Sequence, residues 1–143
     1  MSPEQKEQQL IARLSLIEDL QERMAAIVDR AKKLPPLTDA ERNDEHRVSG
    51  CVSRVWIVPS VDDGLCQFRV DADSTLVKGF AGLICEVYTG STPAAAAEYE
   101  THILDALHLS DQLTPTRKNG LEQVQKTVRR FAAASANASP SAG

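Results

Sequence analysis

One cysteine in this sequence stands where a reactive thiol would be placed. Cys51 directly follows Gly50, in a stretch that also carries His46, Arg47 and Arg54. Glycine adopts positive φ without a Cβ clash, so a turn at Gly50 can direct the sulfur outward. A thiol attacks as the thiolate, and at an ordinary pKa of about 8.5 only about 3% is ionised at pH 7. Positive charge from the neighbouring histidine and arginines would raise that thiolate fraction.

The alternative interpretation of Cys51 is a buried, unreactive cysteine, the commonest state of this residue type. Cys66 alternates with Phe68 along a predicted strand and Cys85 lies in an apolar helical segment, so both are expected in the core. A zinc site would need the three cysteines together with His46. No pair of cysteines has the short spacing typical of zinc sites, and we predict neither a metal nor another cofactor.

Composition and charge exclude several classes of function. The 143 residues are 42% hydrophobic and 25% charged, with a formal net charge of −4, which is ordinary for a globular protein. Because no basic face is clustered, a nucleic acid ligand is not expected. No apolar stretch is long enough to cross a bilayer, and the polar first residues do not resemble a secretory signal. We expect a cytoplasmic protein with free thiols and no membrane partner.

The pattern of apolar residues predicts the elements that position Cys51. Two amphipathic helices are expected within residues 10–33, with a break near Asp19, whose side chain can cap the second helix. β-Branched and aromatic residues predict strands at 54–59 and 65–71, joined as a hairpin. Residues 75–88 are apolar nearly all round, which predicts a helix buried in the core.

The last third of the chain is predicted to hold short helices followed by a longer amphipathic one. Pro115 and the Asn119-Gly120 pair are interpreted as the ends of a loop, so that the long helix starts at Leu121. Residues 1–133 are then one domain, since a chain of this length supports one core. The Ala- and Ser-rich segment 134–143 is predicted to be a disordered tail, because it has too little apolar surface to order.

Several short motifs, in one order, resemble the SufE family of sulfur acceptors. The matching stretches are residues 48–56 around the cysteine, 71–74, 88–90 and 113–121. The similarity runs from about residue 10 to residue 133. It implies an α+β fold of the SufE/NifU type, in which a small antiparallel sheet is packed by N-terminal and C-terminal helices.

The resemblance also implies a role for Cys51. In this family the matching cysteine accepts persulfide sulfur from a SufS-like, PLP-dependent cysteine desulfurase, stimulates that enzyme, and relays the sulfur to iron–sulfur cluster assembly, for example to a SufBCD-type scaffold. The protein is then a carrier and activator rather than a stand-alone enzyme. Gly50 is the expected loop hinge, and Val48 and Val55 part of its shelter. Arg117 matches a family arginine expected to support the loop or the persulfide.

Two other interpretations stay open at this level. One is an interaction module that regulates a desulfurase, or a tRNA or cofactor sulfuration pathway, without carrying sulfur. The other is a zinc- or cluster-holding scaffold related to NifU, which the missing ligand-spaced cysteines count against. The sequence also departs from the family pattern. Val52 stands where a polar residue is common, and Gln112 where a histidine is common.

Overall fold

The computed structural model describes residues 1–138, which form helices around one hairpin. The elements are α1 (Pro3–Ser15), α2 (Leu20–Lys32), β1 (Val55–Asp62), β2 (Leu65–Ala72), α3 (Thr75–Tyr88), α4 (Pro93–Glu98), α5 (Ile103–Ala106), a 3-10 turn (Ser110–Gln112) and α6 (Pro115–Ala138). The α+β architecture expected from the sequence is confirmed. Within the described residues, none of the helices combines the length and apolar character needed to span a membrane.

The N-terminal helices are divided where the sequence predicted. Asp19 caps α2 by accepting a hydrogen bond from the Glu22 backbone N–H at 2.9 Å. Arg23 then reaches back and donates to the carbonyls of Leu14, in the last turn of α1, and of Ile17, in the break. The same guanidinium donates to the Leu107 carbonyl at 2.8 Å. One arginine, 8% exposed, thereby satisfies helix-end carbonyls that would otherwise be buried without partners.

The hairpin is a two-stranded antiparallel sheet whose register runs from Val55 opposite Ala72 to Asp62 opposite Leu65. Its turn has positive φ at both central residues, 53° at Asp63 and 76° at Gly64, which suits the twist of the flanking strands. A two-stranded sheet is marginal by itself. Helices α3 and α4 pack against β2 and α6 contacts β1, and this packing stabilises the hairpin.

Helix α3 is the core helix that its apolar sequence predicted. Its buried side chains include Phe80 and Tyr88, both 0% exposed. Gly79 lets α2 approach closely, because a Cβ there would lie 3.4 Å from the backbone oxygen of Ile27. Cys66 on β2 and Cys85 on α3 are 0% and 2% exposed, so the expected core position of both cysteines is confirmed.

Helix α6 begins six residues earlier than predicted, at Pro115 rather than Leu121. Thr114 accepts a hydrogen bond from the Arg117 backbone N–H at 3.2 Å, and proline follows it at the first helical position, where it needs no donor. The interpretation of Asn119-Gly120 as part of a loop was therefore wrong. The glycine lies inside a helix despite its low helix propensity.

The far end of α6 also departs from the prediction. The helix continues to Ala138, so residues 134–138 of the segment predicted to be disordered are helical. Ala132 and Val128 are both 0% exposed, and their packing holds the last described turns on the core. Alanine has the highest helix propensity, so the helix propagates once this anchor is in place. The remainder of the predicted tail, residues 139–143, lies outside the described residues.

Candidate functional site

The loop that carries Cys51 is fixed to β1 at its base. The Val48 N–H donates to the Val55 carbonyl at 2.8 Å, and the Ile57 N–H donates to the His46 carbonyl at 2.9 Å. These bonds lay the segment before the loop along the outer edge of β1. Gly50 then turns the chain with φ of +79°, a conformation that side chains with a Cβ rarely adopt.

The tip of the loop lies against the first two turns of α6. The Asn119 side-chain amide donates to the Gly50 carbonyl at 3.2 Å. A Cβ on Gly50 would lie 3.3 Å from Cγ of Gln123, so that side chain packs beside the turn. A Cβ on Gly120 would lie only 2.7 Å from Sγ of Cys51. The sulfur therefore occupies space that exists because residue 120 has no side chain.

Cys51 also lines a cavity of about 260 Å³ between the loop, α3 and the start of α6. Val77 and Leu121 contribute apolar wall, while Thr116 and Arg117 contribute polar groups. No carboxylate is among the lining residues of this cavity, which all belong to the described part of the chain. A second sulfur bonded to Sγ adds one atom at about 2 Å, and the cavity has room for it.

Burial is the largest influence on the ionisation of Cys51. It raises the pKa of the thiol above its ordinary value, because the anion is poorly solvated in the cavity. A hydrogen bond from the Ser53 backbone and the positive charge of Arg47 act in the opposite direction and lower that pKa. The free protein therefore holds Cys51 mainly as the neutral thiol near neutral pH.

Two of the three basic residues expected to support the thiolate, His46 and Arg54, make polar contacts elsewhere. Nδ1 of His46 lies 2.7 Å from the Glu41 carbonyl oxygen, which accepts its proton. Nε of Arg54 donates to Asp73 at 2.7 Å. The cation that acts on the thiol is instead Arg47, the third basic residue of the stretch.

The other predicted site residues take different positions around the loop. Arg117 lines the cavity beside Cys51. Val48 and Val55 are 2% and 0% exposed and belong to the apolar core against which Cys51 packs. They support the loop from below, and the wall of the cavity itself is formed by other residues. Gly50 has the positive φ expected of the turn, and its role as a hinge stays a prediction.

Sequence reasoning missed the face of α6 that contacts the loop, formed by Asn119, Gly120 and Gln123. The error followed from placing Asn119-Gly120 in a loop. A signal was available at Thr114-Pro115, which has the same cap-then-proline order as Thr92-Pro93 at the start of α4. That signal places residues 119, 120 and 123 on one helical face.

The other cysteines offer no second sulfur site. Burial raises the pKa of the Cys85 thiol to about 12 and also raises that of Cys66, so neither supplies a nucleophile at neutral pH. Within residues 1–138, no three histidine, cysteine or acidic side chains come together in a way that could hold a metal ion.

Comparison with known proteins identifies the family. A family model for SufE, described as an Fe-S metabolism associated domain, matches residues 8–132. The chain belongs to the SufE family. An uncharacterized SufE-like protein of Synechocystis sp. is 30% identical over 125 residues, which cover 87% of this chain and 79% of that relative. Membership associates this SufE-family protein with Fe–S metabolism, and the resemblance first seen in the motifs is confirmed.

The fold of this SufE-family protein is also found among solved structures. The solution structure of a hypothetical protein from Thermus thermophilus matches it with a TM-score of 0.77 at 22% identity. The match covers 96% of this chain and 98% of the other. At this identity the likeness shows a shared fold, and it leaves function to be argued from the site.

Proposed function

We propose that this SufE-family protein carries sulfur on Cys51, which it accepts as a persulfide from a SufS-like, PLP-dependent cysteine desulfurase. The observation that supports this most directly is the fit of Sγ at its cavity. Sγ occupies the space above Gly120 and borders a volume of about 260 Å³ without a carboxylate. Such a site accommodates an added sulfur atom and does not repel its negative charge.

The chemistry is a thiol–disulfide-type exchange. The Cys51 thiolate attacks the terminal sulfur of the persulfide on the desulfurase. A new sulfur–sulfur bond forms at Sγ while the bond within the enzyme persulfide breaks, and the departing enzyme thiolate takes the electron pair. The transferred sulfur keeps its hydrogen, so the step needs neither an oxidant nor a reductant. A second exchange of the same kind would pass the sulfur to an acceptor thiol in iron–sulfur cluster assembly, with a SufBCD-type scaffold as the proposed acceptor.

Arg117 is proposed to favour the loaded state. It lines the cavity that borders Sγ, and a guanidinium remains charged at any physiological pH. A cation near a persulfide stabilises its anionic form. Val77 and Leu121 exclude water from the same space, and this shelter slows oxidation of the bound sulfur. The proposed setting is the reducing cytoplasm, where the three free cysteines of this chain remain thiols.

The test is sulfur transfer followed by intact mass. The purified protein is incubated with a cysteine desulfurase and L-cysteine, and we expect one added sulfur, about 32 Da, mapped to Cys51. Cys51→Ser should take up none, while Cys85→Ala, which removes a buried thiol, should load like the wild type. Absence of an adduct on the wild-type protein would contradict the proposal. Full stimulation of the desulfurase by Cys51→Ser would favour a regulatory module that carries no sulfur.

A further inference from the structure

The Cys51 loop is held against α6 by very few contacts. The bond from the Asn119 amide to the Gly50 carbonyl joins residues 69 positions apart in the chain. Within residues 1–138 it is the only hydrogen bond that joins the stretch 49–53 to a helix or strand. Ser49, Gly50 and Val52 are exposed, so their side chains add little packing.

We propose that Asn119 is a positioning residue that holds the Gly50–Cys51 turn in its sheltered conformation, and that a partner must break this bond to reach Sγ. This inference rests on the proposed function of Cys51. Sγ lies in the gap above Gly120 and beside a cavity, so a second protein has limited access to it while the turn stays in place. Exchange requires direct approach of one sulfur to the other.

The positions of the neighbouring residues make Asn119 suited to this role. Asn119 and Gly120 both lie on the face of α6 that carries Gln123, since helical residues spaced by three or four positions are neighbours. Gly120 receives the sulfur, Gln123 packs beside Gly50, and Asn119 supplies the directional contact. A single exposed hydrogen bond is weak enough to be exchanged for contacts with a docking protein.

The loop can be released without unfolding the domain. Its base is fixed to β1 by the bonds of Val48 and His46, which lie outside the moving stretch. Gly50 supplies the backbone freedom at the turn. Loss of the Asn119 bond should raise the population of the open loop by roughly 3- to 10-fold, the range expected for one net hydrogen bond.

The test measures alkylation of each cysteine by iodoacetamide in the full-length protein, with Asn119→Ala compared with the wild type. We expect Cys51 to react roughly 3- to 10-fold faster in the variant. Cys66 and Cys85, which are 0% and 2% exposed, report on unfolding and should stay unmodified in both proteins. Faster reaction of all three cysteines, or an unchanged rate at Cys51, would overturn the inference.

Two further variants sharpen the test. Asn137→Ala removes an exposed asparagine near the other end of α6, and it should leave the rate at Cys51 unchanged. Gly120→Ala places a Cβ 2.7 Å from Sγ, so it displaces the sulfur by itself. In that background Asn119→Ala should add less than about 2-fold, by the non-additivity expected of residues that act on one state. If Asn119→Ala raised the alkylation rate of Cys51 as much in the Gly120→Ala protein as in the wild type, the proposal would be contradicted.

The same preparations separate this inference from the proposed function. If the wild-type protein takes no sulfur from the desulfurase, the proposed function fails whatever the alkylation rates are. If it takes sulfur and Asn119→Ala leaves Cys51 alkylation unchanged, the role of Asn119 fails alone.

Discussion

At Cys51, burial and nearby positive charge shift the pKa of the thiol in opposite directions. Burial raises the pKa of the thiol and is the largest influence, while the Ser53 backbone and Arg47 lower it. A neutral thiol reacts slowly with oxidants and with disulfides, because the thiolate is the reactive form. The structure therefore shelters the sulfur atom, and under the proposed function contact with a partner supplies the conditions for attack.

The pH dependence of Cys51 reactivity should reflect this raised pKa. Below the pKa the thiolate fraction grows about tenfold per pH unit. Because the pKa of Cys51 is raised, we expect the rate of iodoacetamide alkylation at Cys51 to rise about tenfold per unit from about pH 7 upward, with no plateau below the ordinary thiol pKa of about 8.5. Peptide mass spectrometry measures the rate. A plateau below about pH 8 would show a thiol that is activated rather than sheltered.

Removal of the charge of Arg47 should slow the same reaction. Because Arg47 lowers the pKa of Cys51, Arg47→Gln raises it further and reduces the thiolate fraction at fixed pH. The expected loss is roughly 2- to 5-fold at low salt, and smaller at high salt, where exposed charges are screened. Arg13→Gln, which removes a charge on the exposed side of α1, is the matched control. Equal rates in both variants would contradict the effect of Arg47.

The effect of Gly120→Ala on stability should differ between proteins with and without the sulfur of Cys51. With Cys51 present, Gly120→Ala places its Cβ 2.7 Å from Sγ, and the displaced loop offsets any gain in helix propensity. In a Cys51→Ala protein that clash is absent, and the same change should stabilise the fold by about 0.5–1 kcal/mol, the usual advantage of alanine over glycine in a helix. Urea denaturation of the four proteins measures the coupling. Equal effects in both backgrounds would show that the sulfur does not occupy this space.

At the scale of elements, the segment before the Cys51 loop is attached to the hairpin and α3 by Asp71. This carboxylate, 8% exposed, accepts hydrogen bonds from the Leu37 backbone at 3.2 Å and from Arg42 at 3.2 Å. Lys78 of α3 lies 3.5 Å away. Although burial acts in the opposite direction, a hydrogen bond from the Ala72 backbone N–H and these contacts together lower the pKa of Asp71 below its ordinary value of 3.8.

Loss of the Asp71 carboxylate should therefore destabilise the protein in a pH-dependent way. Asp71→Ala leaves the buried Leu37 N–H and the Lys78 ammonium without their partner and removes one of the partners of Arg42, at an expected cost of about 2–4 kcal/mol near pH 7. Asp62→Ala, at the exposed end of β1, is the control and should cost less than about 0.5 kcal/mol. A carboxyl with a lowered pKa stabilises above its unfolded pKa, and this contribution is lost as pH falls. The difference from the wild type should shrink below about pH 4, which denaturation at several pH values can test.

For the whole molecule, the surface around Cys51 differs from the rest of an acidic protein. The formal net charge is −4, yet Arg47 and Arg117 lie beside the sulfur. Val52, next to it, is 79% exposed. An exposed valine flanked by arginines suits a partner surface that covers the apolar side chain on docking.

Replacing this valine should weaken binding to the desulfurase. Val52→Gln should raise the dissociation constant by roughly 3- to 10-fold, because the apolar area that it buries on docking is lost. Val61→Gln is the matched control, since Val61 is 43% exposed and lies about 20 Å along β1 from the base of the loop, at a strand rise of about 3.4 Å per residue. Calorimetric titration measures both. Equal weakening of binding by the two variants would show that the docking surface is not centred on the Cys51 loop.

Much of the fold and part of the site were predictable from the sequence, because their causes are local. Cap residues and apolar spacing identify the break at Asp19 and the core helix α3. The alternation of apolar and polar residues identifies the hairpin, with Cys66 on its buried face. Gly50-Cys51 could be selected as the reactive turn because glycine and thiol are adjacent in the chain. In each case the informative residues lie within about one helical turn or strand of each other.

The surroundings of the sulfur were decided only by tertiary packing. Nothing near Gly120 in the sequence indicates that its missing side chain makes room for Sγ of Cys51, and nothing near Asn119 indicates a bond to Gly50. The sequence by itself singled out Cys51 as the residue proposed to carry the chemistry. The approach of α6 to the loop, across 69 positions of chain, decided that the thiol is sheltered and holds its proton, because burial depends on what packs against an atom rather than on its neighbours in sequence.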